Sequence, residues 1–282
     1  MRIIFSLALV FGSVLLADIK AVKTTTDLSK TLPADSVWKD IPKEPVNLVA
    51  QYMVNPKPKV NHTPLIEVQA IHDGQWIAFR LTWKADSKSE AGKTGQFSDA
   101  VAMQFPVKEG SPPPIFMGMK GNPVHIFHWR AQYQKDEEKG KPEMKDLYPN
   151  MNPDMYPMEF KDSGHVKGLN AEKREVYSPG KASGNPQSYQ KNSAVDEIVA
   201  EGFGSSSVIE NKMSRGHGVY DPKQKTWTVV ISRPLVRPNG SVLKPGQNGF
   251  MAFAVWQGAK QEVGSRKAIT PNWVSLQILG PT

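Results

Sequence analysis

The stretch Ile66-Glu67-Val68-Gln69-Ala70-Ile71-His72-Asp73-Gly74-Gln75-Trp76-Ile77-Ala78-Phe79-Arg80-Leu81-Thr82-Trp83 decides the fold. Ile66, Val68 and Ala70 alternate with polar residues up to Asp73-Gly74, and Ile77, Phe79, Leu81 and Trp83 alternate again beyond it. A period of two puts every second side chain on one face of a strand, and Asp-Gly suits the left-handed backbone of a tight turn. The stretch therefore predicts a β-hairpin with one buried face. Working outward, the same pattern marks candidate strands at 99–105, 124–129, 198–202, 227–232, 250–256 and 273–279. No long amphipathic helix pattern appears. Short strands separated by Pro- and Gly-rich loops predict an all-β fold, an antiparallel two-sheet β-sandwich or an open barrel with few short helices.

One segment departs from this pattern. Residues 139–186 hold many Pro, Asn, Lys and Met residues without periodicity, and the segment is too long for a simple turn. With too few clustered apolar residues for a core of its own, it reads as a long irregular insertion in a single domain of residues 18–282, and as a candidate contact with a partner subunit.

The chain has 282 residues, 39% hydrophobic and 22% charged, which places it among globular proteins. It has no cysteine. That excludes disulfides, thiolate zinc sites, protein-ligated iron–sulfur clusters, a cysteine nucleophile and covalent haem attachment. A redox cofactor would have to be held by His, Met, Lys, Tyr or carboxylates. Met1-Arg2, an uncharged run over 3–16 and Ala17 before Asp18-Ile19-Lys20 read as a secretory signal over residues 1–17. The run is shorter than the roughly 20 residues that cross a bilayer, so the expectation is export to the periplasm, with an uncleaved anchor as the alternative. Removing Arg2 with the signal leaves the mature chain basic, but the lysines are scattered and Lys135-Asp136-Glu137-Glu138-Lys139 mixes both signs. This describes a solvated surface, or one that docks another protein, and export argues against nucleic acid as the partner.

Several short motifs dissolve on inspection. His125 and His128 resemble a metal pair, but a spacing of three on a strand sends them to opposite faces. Ser36 to Lys39 and Lys93-Thr94-Gly95 match fragments of the penicillin-recognising enzymes, yet Pro42 closely follows the first and the second falls in a polar loop. Gly202-Phe203-Gly204 lacks the third glycine of a dinucleotide loop. Met144, Met151, Met155 and Met158 cluster in the insertion, and Met117 and Met119 follow Pro112-Pro113-Pro114. Thioethers are soft ligands that hold Cu(I), or they serve as adaptable contact surface.

Taken in order, the segments resemble the haem b-binding γ subunit of the type II dimethyl sulfoxide reductase family, the ethylbenzene dehydrogenase-related haem-binding domain. The resemblance runs over 38–279. It is carried by Trp38-Lys39-Asp40-Ile41-Pro42, the Trp76 to Trp83 strand, Ser98-Asp99-Ala100-Val101-Ala102-Met103-Gln104-Phe105-Pro106, and Phe116-Met117-Gly118 leading to Asn122-Pro123-Val124-His125-Ile126-Phe127-His128-Trp129. Ala200-Glu201-Gly202-Phe203-Gly204, the 227–235 segment, Phe253-Ala254-Val255-Trp256-Gln257-Gly258 and Ser265-Arg266-Lys267 complete it. The resemblance implies a β-sandwich with one non-covalent haem b, its iron ligated by Met117 and Lys267, with Met119 as the fallback for Met117. The Ser205-Ser206-Ser207 run departs from the threonine usual there without touching either ligand. Further implications are a non-catalytic electron-transfer role in a periplasmic complex, with a molybdenum catalytic subunit and an iron–sulfur subunit as partners and a soluble c-type cytochrome as electron carrier. Two other readings stand beside it. A carbohydrate- or ligand-binding sandwich would use exposed tryptophans on one sheet face, and a periplasmic copper carrier would use Met151, Met155 and Met158.

Overall fold

The structure is a computed structural model that describes residues 18–90, 93–140, 142, 144–150, 191 and 193–280. Among these residues the chain forms strands β1 (Asp18–Lys23), β2 (Glu44–Asn47), β3 (Val49–Ala50), β4 (Leu65–His72), β5 (Trp76–Lys84), β6 (Ala100–Pro106) and β7 (Val124–Arg130). Helices α1 (Ala131–Lys139) and α2 (Met144–Leu147) follow. The remaining strands are β8 (Val195–Ala200), β9 (Ser207–Val208), β10 (Arg215–Asp221), β11 (Thr226–Pro234), β12 (Asn248–Trp256), β13 (Ala268–Ile269) and β14 (Val274–Ile278).

The hairpin β4–β5 is the centre of the first sheet, with Ala70 opposite Phe79 and Val68 opposite Leu81. Its turn is organised by Asp73, whose carboxylate accepts the amides of Gln75 (2.8 Å), Trp76 (2.6 Å) and, from the N-terminal segment, Leu28 (3.2 Å), while Gly74 takes φ +96°. Three amides depend on one side chain. Asp73→Ala should therefore cost about 2 kcal/mol in chemical denaturation, and an unchanged midpoint would show that the turn holds without it.

The first sheet runs β10-β11-β5-β4-β1-β14 and the second runs β6-β7-β8-β9, and β12 belongs to both. Its residues Asn248 to Met251 pair with β14, and Ala252 to Trp256 pair with β6. The far edges meet through β10, where a Cβ on Gly218 would lie 2.4 Å from Cζ2 of Trp129, and one on Gly216 would lie 2.4 Å from Val195. Glycine at both positions lets the β10 backbone rest on the β7 tryptophan. Gln134 of α1 secures the contact, accepting from the Gly218 amide (2.7 Å) and donating to its carbonyl (3.1 Å).

The expected all-β two-sheet sandwich is the fold observed. The antiparallel rule has one exception, because β1 pairs parallel to both β14 and β4, with Ile19 beside Leu276 and Ala21 beside Ala70. Between the sheets lies one core containing Ile77, Phe79, Leu81 and Trp83 from β5, Val101, Met103 and Phe105 from β6, and Phe127 and Trp129 from β7. Each sheet also buries part of its outer face. On the first, Leu28 and Trp38 cover Ile71, Ala78 and Val230, and Gln69 holds the Trp38-to-Pro42 segment by donating to the carbonyls of Trp38 (2.9 Å) and Ile41 (2.7 Å). The outer face of the second sheet has a different character. It carries the candidate site.

Candidate functional site

Cross-strand pairing fixes what this outer face presents. Residues directly opposite in an antiparallel ladder share a face, so the rungs read Ile198–Ile126–Gln104–Ala252, then Asp196–His128–Ala102–Ala254–Ile269, then Arg130–Ala100–Trp256. Ala200 and Val124 form the rung before these. Most of the face is small or aliphatic: Ala100, Ala102, Val124, Ile126, Ala200 and Trp256 form a buried cluster, with Met117, Ile198, Ala254 and Trp273 packed against it. Alanine at alternate positions of both β6 and β12 leaves a shallow floor between bulkier ends. Gln104 and Ala100 bound roughly 14 Å of it along β6.

Met117 is brought to one end of the floor by a heavily tied loop. Trp273 Nε1 donates to the Pro113 carbonyl (2.7 Å) and Gln104 Nε2 to the Ile115 carbonyl (2.8 Å). The Met117 amide reaches back to Ile115 (2.9 Å), and its carbonyl accepts the Gly202 amide (2.8 Å). Met117 adopts φ +65°, a left-handed conformation that an unbranched side chain enters only when the surroundings hold it there. The next residue must be glycine. Gly118 has φ +76°, and a Cβ there would lie 2.9 Å from the Asn122 carbonyl oxygen and 3.1 Å from that of Ala200. The neighbouring Met119 bridges to Asn122 and is 50% exposed, whereas Met117 is half-buried against the apolar face.

Lys267 arrives from the opposite end. It immediately precedes β13, its carbonyl accepts the Gln51 amide (2.9 Å), and alternation from Ala268 in the central core turns the Lys267 side chain to the outer face. Its Nζ lies 4.8 Å from the ring centroid of Trp256, whose Nε1 donates to the Gly264 carbonyl (3.0 Å). Among the described residues Lys267 has no ion pair or hydrogen bond to its amine, and burial without a compensating carboxylate pulls it from 10.5 down to about 8. Met117 and Lys267, 150 positions apart in sequence, thus flank one apolar floor.

The two histidines fall on opposite faces, as their spacing requires. His128 lies on the outer face, stacked on Trp256 (4.7 Å between ring centroids), and burial, with Arg130 and Lys267 nearby, keeps it neutral. His125 points into the sandwich against Phe127. The Ser36 and Lys93 motifs lie in a 3-10 turn and a loop. Met151, Met155 and Met158 lie outside the described residues, as do most of 139–186, the side chain of Met144 and all of 1–17.

Sequence reasoning missed the polar set at the β7–β8 edge of the face. Asp196 accepts a short hydrogen bond from Lys212 and pairs with Lys191 (3.7 Å). Lys191 Nζ lies 4.2 Å over the ring of Tyr133, and Arg130 donates to the Tyr133 hydroxyl (2.6 Å). Only the alternation of β7 and β8 hinted that Arg130 and Asp196 share a face. The tryptophans, by contrast, offer no exposed platform: Trp38, Trp83, Trp129, Trp227 and Trp256 are buried, and Trp76 and Trp273 are half-buried.

Comparison with known proteins adds three relatives. A protein of Haloferax mediterranei named "Putative respiratory nitrate reductase heme subunit ORF7" is 23% identical over 242 residues, 84% of this chain. The match spans 65% of that relative's own length, just under two thirds. The chlorate reductase subunit gamma of Ideonella dechloratans is 24% identical over 87% of this chain and 78% of its own. The dimethylsulfide dehydrogenase subunit gamma of Rhodovulum sulfidophilum is 21% identical over 86% and 73%. Among solved structures, a family 9 carbohydrate-binding module from Caldicellulosiruptor kristjanssonii in complex with glucose is 8% identical, with a TM-score of 0.44, covering 94% of this chain and 97% of that one. The sequence profile described as Ethylbenzene dehydrogenase matches residues 35–268, a span that includes the Met117 loop, the alanine floor and Lys267, and the chain therefore belongs to the ethylbenzene dehydrogenase family.

Proposed function

We propose that this chain is the electron-transfer subunit of a molybdenum oxidoreductase complex, with a non-covalent haem b held between Met117 and Lys267. The observation that carries the reading is the convergence, on one apolar floor, of a half-buried thioether and a burial-depressed amine that has no ion pair among the described residues. The residues fit the group: a soft sulfur donor, an amine whose proton is already destabilised, and a surface of alanine, valine and isoleucine. When bound, haem supplies one-electron chemistry. Met117 and Lys267 would hold the iron, and the protein's part would be to exclude water from the floor and keep the cost of deprotonating the amine low. With both ligands supplied by the protein, no open site would remain for a substrate, which accords with a relay role, and a thioether ligand would favour the reduced iron and hence a high potential. The names of the relatives, a heme subunit and two gamma subunits of a reductase and a dehydrogenase, support the same assignment.

In this reading the molybdenum catalytic subunit and an iron–sulfur subunit are the partners, a soluble c-type cytochrome is the carrier, residues 1–17 direct export to the periplasm, and the 139–186 insertion makes the subunit contact. No helix among the described residues is long and apolar enough to cross a membrane.

The purified mature chain should show a sharp Soret band and a resolved α band when reduced. Because Met117 packs on the face and Met119 is half exposed, Met117→Ala should remove the low-spin spectrum, while Met119→Ala should shift it by no more than a few nanometres. The reverse pattern would move the ligand to Met119. A colourless protein that takes up no haem would end the proposal.

A further inference from the structure

The polar set at the β7–β8 edge gains a role if haem lies on the floor, and the role assigned to it here rests on that reading. Met117 approaches the face where β7 meets β8, since Gly118 lies against Val124 and the Ala200 carbonyl. Lys267 approaches at Trp256, the far end of β12. These are two diagonal corners of the floor. A flat ligand clamped between them must extend along the other diagonal, whose corners differ sharply. One is apolar, formed by Trp273 and the proline loop to which it is tied. The other holds Lys191 and Lys212 on the carboxylate of Asp196, with Arg130 close enough to act on Lys191 and itself donating to the Tyr133 hydroxyl beside neutral His128.

We propose that Arg130, Lys191 and Lys212 form the anchor for the two propionate carboxylates of the haem, and so fix which way round the macrocycle lies on its floor. Both lysines pair with the same carboxylate, so their donors are not exhausted by Asp196. Lys191 and Asp196 are both nearly buried, which makes surplus positive charge costly unless an anion meets it. Burial pulls Lys191 below the ordinary lysine range, with Lys212 and Arg130 adding to the effect against Asp196. Arg130 also offers a planar fork suited to a carboxylate. At the Trp273 corner nothing comparable waits among the described residues, and an ionised propionate there would lose its water without gaining a partner.

The test compares haem b with haem dimethyl ester, in which both carboxylates are blocked, by Soret titration of the full-length mature apoprotein. The wild type should bind the free acid on the order of 30-fold more tightly. Arg130→Gln combined with Lys191→Gln should bring the two affinities within about threefold by weakening haem and sparing the ester, whereas Lys244→Gln, a distant surface cation paired with Glu109, should leave the ratio intact. Lys212 remains in the double variant to neutralise Asp196, and circular dichroism verifies the fold. Equal wild-type affinities would overturn the anchor while leaving haem binding standing, and they need no variant to fold. Full discrimination in the double variant would overturn it too. Failure of the wild type to bind either porphyrin would overturn the anchor and the haem reading together.

Discussion

Lys267→Arg is expected to be as damaging to the visible spectrum as Lys267→Ala, although it keeps the charge and the contact with Trp256. Only a neutral nitrogen has a lone pair to give. At an ordinary lysine value of 10.5, presenting that nitrogen at pH 7 costs about 5 kcal/mol; at about 8 the cost falls to about 1.4 kcal/mol. Burial therefore removes most of the cost of deprotonation in advance, and among the described residues no carboxylate pairs with the amine to restore it. A guanidinium stays protonated under all these conditions and has no acceptor capacity. Both variants should lose the six-coordinate low-spin signature and bind haem at least tenfold more weakly, readable by Soret titration and by magnetic circular dichroism. If Lys267→Arg kept the wild-type spectrum, the residue would act as a cation packed on Trp256, and another side chain would have to be the ligand.

The same face shows how far sequence reading reaches. The hairpin over 65–84 was legible because period-two alternation and Asp73-Gly74 agree, and β6, β7, β11, β12 and β14 followed from the same pattern with shifts of a few residues. β8 begins at Val195, three residues before the expected start, because its polar Asp196 and Glu197 are consumed by buried ion pairs and do not mark a loop. β10 was invisible for a related reason. Arg215-Gly216-His217-Gly218 shows no apolar alternation, and its glycines let the backbone lie against Trp129 and Val195. β1 shows only Ile19 and Ala21 as apolar alternates, and its two parallel pairings are long-range features that no local pattern announces. At the site, Met117 and Lys267 came from the resemblance alone. Their environment was written in the sequence as Ala100-x-Ala102 and Ala252-x-Ala254, alternating small residues on two strands, but nothing local says that the strands are neighbours.

Acid should destabilise this protein through its buried histidines, His72 and His128 among them, and most legibly through His125 on the other side of the same strand. His125 is fully buried, its Nδ1 accepts weakly from the Ser241 amide (3.3 Å), and its Nε2 is 3.7 Å from Glu197 without a hydrogen-bond partner. Glu197 is already committed to Arg237 Nε (2.7 Å) and to the amides of Met213 and Ser214 (2.6 Å each), bonds that outweigh its burial and hold it below the usual carboxylate range. Arg233, wholly buried, donates to Ser241 and to the carbonyls of Pro234 and Leu235. A proton on His125 would thus enter a dry site facing two guanidiniums and one occupied carboxylate. Burial, then Arg233, pushes it from 6.5 down to about 3, with Glu197 opposing and Arg237 reinforcing the shift. Because the unfolded chain takes up this proton near 6.5 and the folded chain only near 3, the unfolded state binds more protons between those values. Stability is then full above pH 6.5 and declines as pH falls toward 3, by up to about 1.4 kcal/mol per unit and roughly 5 kcal/mol in all, with Glu197 adding to the loss below its ordinary value of 4.5. That is comparable to the whole stability of many domains. Urea denaturation of the apoprotein from pH 7.5 to 4 should show at least this slope, and His125→Gln, which keeps an acceptor for Ser241 but cannot be protonated, should lower it by about 1 kcal/mol per unit between pH 6.5 and 5, leaving the part due to His72 and His128. An equally steep decline in the variant would place the acid-labile group elsewhere.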